Sequence, residues 1–402
     1  MVEDARRAMG VAADEFFERP TEELELAGVT GTNGKTTTAF LLYSILAAGG
    51  RRPGLLGTIE SRVGGERRPA LRTTPEAIDL QRSFREMLDG GDRSCALEAT
   101  SHGSELGRLD RVRFSALVFT NLTQDHLDFH GTIERYFDAK RRLFTEEHPP
   151  AAVNVGDPYG RRLAQELQGR DQLVTFGFAD DAELRPEGLD LGPRGARFTA
   201  GGLELETQLR GRFNVENVLG AVAAARLLGI EDDAIARGVR ELRGVPGRFE
   251  AVDEGQPFAV LVDYAHTPDS LENVLRTARD LAQNRLICVF GCGGDRDRGK
   301  RPLMGRIASE LADLAIVTSD NPRSEEPDAI IGEIVAGAAG EIEVEPDRRE
   351  AIARAIDAAQ EGDVVVIAGK GHEQGQQFAD RTVPFDDRDV AREALRRLGA
   401  PT

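Results

Sequence analysis

Lysine is nearly absent from this chain. Of 51 basic residues in 402, four are lysine: Lys35, Lys140, Lys300 and Lys370. An ammonium is compact, can lose its proton and can be modified; a guanidinium does none of these easily. A lysine retained in an arginine-rich chain therefore marks a place where arginine cannot serve. Cysteine is scarce too. Cys95, Cys288 and Cys292 make an odd number and include no two knuckle pairs, so they read as reduced and structural. No apolar run of about 18 residues exists, which argues against a helical membrane span. Met1-Val2-Glu3-Asp4 is acidic and leads into no apolar segment, unlike a secretory leader, so a cytoplasmic location is expected. Positive charge is in deficit, with a formal net charge of −18. That disfavours nucleic acid as a partner but leaves room for a small anion such as ATP in a local pocket. A monomer acting on small molecules is expected, with neither nucleic acid nor membrane as partner.

What is present is an alternation of apolar runs and helical segments. Glu25–Val29 reads as a short strand, and Thr37–Ala48 as a helix. Between them lies Gly31-Thr32-Asn33-Gly34-Lys35-Thr36-Thr37. Strand, Gly-rich loop and helix form the context of a phosphate-binding loop. Glycine lets backbone N–H groups approach phosphate oxygens, and the helix N-terminus favours the anion. Lys35 would reach the β- and γ-phosphates and the Thr36 hydroxyl a Mg²⁺ ion. The loop is a shortened variant, because Val29 stands where the usual spacing wants glycine.

Thr74-Pro75-Glu76 is expected to open a helix running to about Leu88, with proline in its first turn. Ser94–Leu97 and Ala116–Thr120 read as buried strands, each leading into a polar cluster. Asp138–Leu143 reads as helical, as do Asn214–Leu228 and Asp232–Leu242, while 172–209 suggests a small β-rich subdomain. After Gly244-Val245-Pro246-Gly247 the pattern resets. Phe258–Val262, Leu286–Phe290, Leu314–Val317 and Val364–Ala368 are apolar runs separated by helical segments, which implies a doubly wound parallel sheet. Each run ends in a polar cluster, and ligands bind at such carboxyl ends. The fold class is therefore α/β. Residues 1–24 form a linker-like segment. A central ATP-binding domain of P-loop ATPase type, with a parallel sheet and a small β subdomain, covers 25–243. A Rossmann-like doubly wound domain covers 244–402.

Glu98 and His126 fall at two neighbouring strand ends, where a carboxylate and an imidazole could share a divalent metal. Each alone is a weak signal. In sequence order, the run from Gly28 to Thr38, Glu98–Arg108, Thr120 through His130, Lys140, Gly211 to Asn214, Asp263–Pro268, Gly291–Gly305, Asp320–Arg323 and Gly369–Glu373 resemble the motifs of the Mur ligases of peptidoglycan synthesis. The likeness runs from about residue 10 onward. It implies an ATP-dependent carboxylate–amine ligase using two Mg²⁺ ions. Lys140 matches the family's carbamylated lysine, a modification arginine cannot accept. With Glu98 and His126 it would form one metal site, while Thr36 serves the other. Asn214 and His266 match adenine-pocket positions, Asp263 a ribose contact, and Arg248 a nucleotide-phosphate contact. Thr73, Thr74, Thr100 and Arg108 match residues that hold the muramoyl-peptide substrate, though Leu106 departs from the polar residue often found nearby. Arg296, Asp320, Asn321, Arg323, Gly369 and Glu373 match the amino-acid pocket.

A guanidinium reads a carboxylate bidentately. meso-Diaminopimelate carries a distal carboxylate that lysine lacks, so Arg323 favours diaminopimelate as the amine substrate. The alternative is that Arg323 caps the following helix or pairs with Glu325 or Glu326. The resemblance further implies an N-terminal domain that binds uridine diphosphate, and 24 residues before the first strand are too few for one. A truncated chain, a short ligase acting on a UDP-free muramoyl peptide, and a partner-supplied domain all stay open. So do a related ligase acting on another glutamyl substrate and a non-catalytic nucleotide-binding protein.

Overall fold

The structure is a computed structural model and describes residues 4–170, 172–192 and 194–399. It comprises two compact units. One holds the described residues up to Thr123 together with His130–Arg243, and the other holds Gln124–Phe129 with the described residues from Gly244 onward. No helix among the described residues is long and apolar enough to cross a membrane.

The first unit is built on eight strands: β1 (Glu25–Thr30), β2 (Pro53–Leu56), β3 (Glu60–Val63), β4 (Glu66–Pro69), β5 (Ser94–Glu98), β6 (Ala116–Phe119), β7 (Ala151–Asn154) and β8 (Leu173–Phe176). Their order is β4-β3-β2-β5-β1-β6-β7-β8. The strands from β2 to β8 pair in parallel, while β3 and β4 add an antiparallel edge. β5 and β6 are buried along their whole length, as expected where both faces of a parallel sheet are covered. The segment expected to be a β-rich subdomain splits. β8 joins the large sheet beside β7. β9 (Glu187–Gly192), β10 (Gly195–Ala200) and β11 (Leu203–Thr207) make a separate antiparallel sheet. β11 alternates strictly between buried and exposed positions, the signature of a one-sided sheet.

One helix boundary differs from expectation. The helix after Thr74 runs from Ala77 to Asp89, so Pro75 precedes it. The cause is local. The Thr74 hydroxyl donates to the Glu98 carbonyl at 2.7 Å and bonds Thr100 Oγ1 at 2.9 Å. This ties the chain to the end of β5 before the helix begins. The N-terminal segment is itself helical at Ala5–Phe16, capped by the Asp4 carboxylate.

In the second unit, β12 (Glu250–Ala251), β13 (Ala259–Asp263), β14 (Leu286–Phe290), β15 (Leu314–Val317), β16 (Glu343–Val344) and β17 (Val364–Ala368) form one sheet, ordered β12-β13-β17-β14-β15-β16. All but β12 run parallel. The register aligns Asp263 with Ala368 and Phe290 with Val317, so the four polar clusters leave from one rim. A short hairpin follows, β18 (Gly375–Gln377) with β19 (Thr382–Pro384). Beneath the rim lies a fully buried ion pair. Arg348 meets Asp387 at 2.7 Å, and its guanidinium also donates to the Ala368 carbonyl at 2.9 Å. All three cysteines are free and buried.

Candidate active site

β1 ends in the Gly-rich loop, and its geometry explains the glycines. A Cβ on Gly31 would lie 1.9 Å from Thr120 Oγ1. Gly34 has φ +86° and a Cβ there would lie 2.2 Å from Asn217 Oδ1, a conformation and a space that only glycine tolerates. The end of β6 clamps the loop. Asn121 Oδ1 accepts from Asn33 N at 2.9 Å, its Nδ2 donates back to the Asn33 carbonyl at 3.2 Å, and Thr120 Oγ1 donates to the same carbonyl at 2.6 Å. Thr32 N donates to the Asn121 carbonyl at 2.9 Å.

Two of the four lysines converge on this loop. Lys35 Nζ donates to the Gly31 and Thr32 carbonyls at 3.0 and 2.7 Å. Lys140, on the helix Ile133–Thr145, is buried and donates to the same Gly31 carbonyl at 2.7 Å. Its ammonium lies 4.7 Å from the centre of the Tyr136 ring, and the Tyr136 hydroxyl bonds Thr32 Oγ1 at 3.1 Å. Tyr136 carried no motif signal; its spacing of one helical turn from Lys140 was the available clue. Beside it, His130 bonds Ser101 Oγ at 3.0 Å. Burial, then the nearby His102 and Lys140, pull its pKa down to about 4, which keeps the imidazole neutral.

Glu98 is buried at the end of β5 and accepts from Thr36 Oγ1 at 3.0 Å, from Thr58 Oγ1 at 2.9 Å and from Thr58 N at 2.7 Å. Thr58 was not legible as a site residue. Gln124–Phe129 clusters with the second unit, and the half-buried His126 ring lies 3.3 Å from Asp125. Among the described residues, no three His, Cys, Asp or Glu side chains are grouped to hold a metal. Burial would raise the Asp125 carboxyl. The hydrogen bond from His266, with the charges of His126, His266 and Lys300, outweighs burial and holds the group far below the carboxylate range.

Thr73, Thr74 and Thr100 come together. Thr73 Oγ1 bonds Thr58 Oγ1 at 3.1 Å, and Arg108 donates to the Thr74 carbonyl at 3.2 Å while pairing with Glu76 at 2.9 Å. Asn214 Oδ1 accepts from Asn217 Nδ2 at 2.9 Å, and its own amide donates to the Arg210 carbonyl at 2.8 Å. In the second unit Asp263 accepts backbone N–H bonds from Phe249 and Ala265, both at 2.7 Å. Burial pushes its carboxyl up despite the opposing pull of Arg248. The Arg248 guanidinium stacks 4.3 Å from the Tyr264 ring centre, and Tyr264 lies 4.6 Å from His266.

The six residues read as the amino-acid pocket lie on that one rim. A Cβ on Gly293 would lie 2.9 Å from Arg323 Nη1 and 3.9 Å from Arg296 Cγ, so both arginines flank that glycine. Arg323 donates to the Gly294 carbonyl at 2.7 Å and to Gln377 Oε1 at 3.2 Å. It does not serve Glu325, which pairs instead with the buried Arg301 at 2.7 Å. Gly369, at φ +117°, leaves room for Asp320, whose Oδ2 would stand 2.5 Å from a Cβ there. Glu373 accepts from Asn321 Nδ2 at 2.8 Å and from Lys370 Nζ at 3.1 Å. Lys370, a retained lysine within the Gly369–Glu373 run, finds its partners among these same residues.

A phosphate loop on one α/β unit and a charged rim on a second define the class. Residues 29–225 match the model of the Mur ligase middle domain, and 247–371 that of the Mur ligase glutamate ligase domain. The chain belongs to the Mur ligase family. It is 49% identical over 415 residues to the UDP-N-acetylmuramoyl-L-alanyl-D-glutamate–2,6-diaminopimelate ligase of Solibacter usitatus, covering 99% of this chain and 82% of that protein. The enzyme of the same name from Geobacillus kaustophilus is 47% identical, with 99% and 84% covered. A solved structure of a ligase of that name superposes with a TM-score of 0.69 at 35% identity, over 98% of this chain and 84% of the other. Folylpolyglutamate synthase from Mycobacterium tuberculosis reaches 0.75 at 17% identity, covering 98% and 96%, a likeness of fold alone.

Proposed function

We propose that this chain is an ATP-dependent ligase that joins meso-diaminopimelate to the D-glutamate γ-carboxylate of UDP-N-acetylmuramoyl-L-Ala-D-Glu. The observation that carries this reading is the charged rim of the second unit. Two guanidiniums, Arg296 and Arg323, flank Gly293, while Asn321 and Glu373 bond each other nearby. Such a set suits an amino acid with a distal carboxylate and a distal ammonium. Relatives bearing that activity in their names, up to 49% identical over nearly the whole chain, support it.

The substrate carboxylate attacks the γ-phosphorus of ATP, ADP departs, and an acyl phosphate forms. Lys35 and the N–H groups of the Gly-rich loop steady the charge on the transferring phosphoryl oxygens. Thr73, Thr74, Thr100 and Arg108 hold the peptide that brings the carboxylate. The amine of the amino acid then attacks the acyl carbon. Phosphate leaves from the tetrahedral intermediate, and the amine's proton passes to solvent. Asn214, Arg248, Asp263 and His266 are assigned to the nucleotide.

The Thr36 hydroxyl and Glu98 carboxylate, 3.0 Å apart, are hard oxygen donors and fit Mg²⁺. Bound there, Mg²⁺ would neutralise phosphate charge. A second ion is assigned to Lys140 as its carbamate, with Glu98 and His126. Two ammonium groups bonding one carbonyl oxygen, those of Lys35 and Lys140, repel each other. Carbamylation of Lys140 turns that repulsion into attraction, and extra electron density on Nζ would verify it. The decisive assay is phosphate release that requires both the muramoyl dipeptide and diaminopimelate. Release that ignores either substrate sinks the proposal. Arg323→Ala should cost about 10²-fold in kcat/KM with diaminopimelate and far less with lysine; equal losses would remove the substrate assignment.

A further inference from the structure

Lys370 is fully buried, which is costly for a cation unless it is paired and hydrogen-bonded. Its partners all belong to the amino-acid pocket. Nζ donates to Asn321 Oδ1 at 2.9 Å and to Glu373 Oε2 at 3.1 Å, and stands 4.0 Å from Asp320. The Asn321 amide is oriented by these bonds. Its Oδ1 faces Lys370 and also accepts from Gln377 N at 2.9 Å, while its Nδ2 faces Glu373. Gln377 in turn accepts from Arg323. One ammonium thus anchors a chain of contacts from the carboxylate that faces solvent to the guanidinium at the other end.

Charge gives this arrangement a second effect. Three of the pocket side chains, Arg296, Arg323 and Lys370, are basic, and two, Asp320 and Glu373, are acidic. Counted formally, these five side chains carry one excess positive charge; the Arg348–Asp387 pair beneath adds none, and Asp295, bonded to Ser324 Oγ at 2.6 Å, stands outside the count. Diaminopimelate with its reacting amine unprotonated has two carboxylates and one ammonium, a net charge of −1. Lysine in the same state is neutral.

We propose that Lys370 is the positioning residue that sets amine-substrate selectivity. It fixes Asn321 and Glu373 to receive the distal ammonium, and its charge makes the second carboxylate a requirement. This rests on the function proposed above. The test uses the full chain, saturated with ATP and UDP-muramoyl dipeptide, measuring kcat and KM separately for diaminopimelate and lysine. Lys370→Met should raise the KM for diaminopimelate about tenfold or more while kcat and the KM for ATP stay within about threefold. The KM for lysine, which shares the distal ammonium but not the second carboxylate, should rise less, narrowing the preference. Lys370→Arg, which keeps the charge, should retain more of the preference than Lys370→Met. Glu373→Gln adds one positive charge to the same pocket and should shift the preference the other way, against lysine; it also serves if Lys370→Met fails to fold. Equal losses on both substrates, a change confined to kcat, or shifts of the same sign in Lys370→Met and Glu373→Gln would overturn the inference. A parent enzyme that never turns over diaminopimelate rejects the function itself, whereas an active parent with unaltered selectivity in the variants rejects only the role of Lys370.

Discussion

The two units use lysine in opposite ways. On the phosphate side, Lys35 and Lys140 bond backbone carbonyls of the Gly-rich loop. On the amino-acid side, Lys370 bonds the side chains of Asn321 and Glu373. A phosphate is the same in every nucleotide, so a backbone frame suffices to hold it. A particular amino acid must be told from its neighbours, and that takes side chains. On the proposed function, the first unit is indifferent to the amine and the second judges it.

Four substitutions would break or sharpen this contrast. Lys35→Ala should have the largest effect, on the order of 10³-fold in phosphate release, by the same factor whichever amine is offered. A loss that depended on the amine would erase the contrast. Gly369→Ala places a Cβ 2.5 Å from Asp320 Oδ2 at φ +117°. It should raise the KM for the amine about 10- to 100-fold through strain of about 1–3 kcal/mol, with nucleotide affinity unchanged by equilibrium binding. Thr58→Val removes one of three donors to Glu98 and should cost about 1–3 kcal/mol of carboxylate positioning. It would be read as a higher Mg²⁺ requirement rather than a changed amine preference.

The smallest effect concerns pH. His130 has a folded pKa of about 4, below its ordinary value of 6.5, so between these values the unfolded chain binds the extra proton. Stability should be complete above about pH 6.5 and fall progressively toward pH 4. His130→Gln should flatten that slope in thermal melts while leaving the region above pH 7 unmoved. An identical slope in the variant would remove His130 as its cause.

What the sequence disclosed follows the same division. The Gly-rich loop is contiguous, so its residues and their helix could be read in one line, and the apolar runs of the second unit predicted four of its parallel strands almost residue for residue, missing the two-residue edge strand β16. Contacts made across the fold were silent. Thr58 meets Glu98 from forty positions away, and Asn321 meets Lys370 from forty-nine; neither pair has a spacing that a motif could display. β4 is exposed at every residue, so no apolar pattern announced it. The early start assigned to the helix at Ala77 has the same origin, because the tether that holds Thr74 runs to Glu98 and Thr100 on another strand's end. The left-handed backbone of His126, φ 55°, and the 3.3 Å approach of its ring to Asp125 were likewise not announced by any spacing.

The buried pair under the rim gives the last helix a duty beyond packing. Asp387 opens that helix, Asp387–Gly399, and pairs with Arg348, which holds the carbonyl of Ala368, next to Gly369. Cutting the chain before Asp387 would strand a guanidinium in the interior at a cost of about 3–5 kcal/mol. An engineer shortening the protein or grafting a new module at its tail would therefore be editing the floor of the proposed amine pocket.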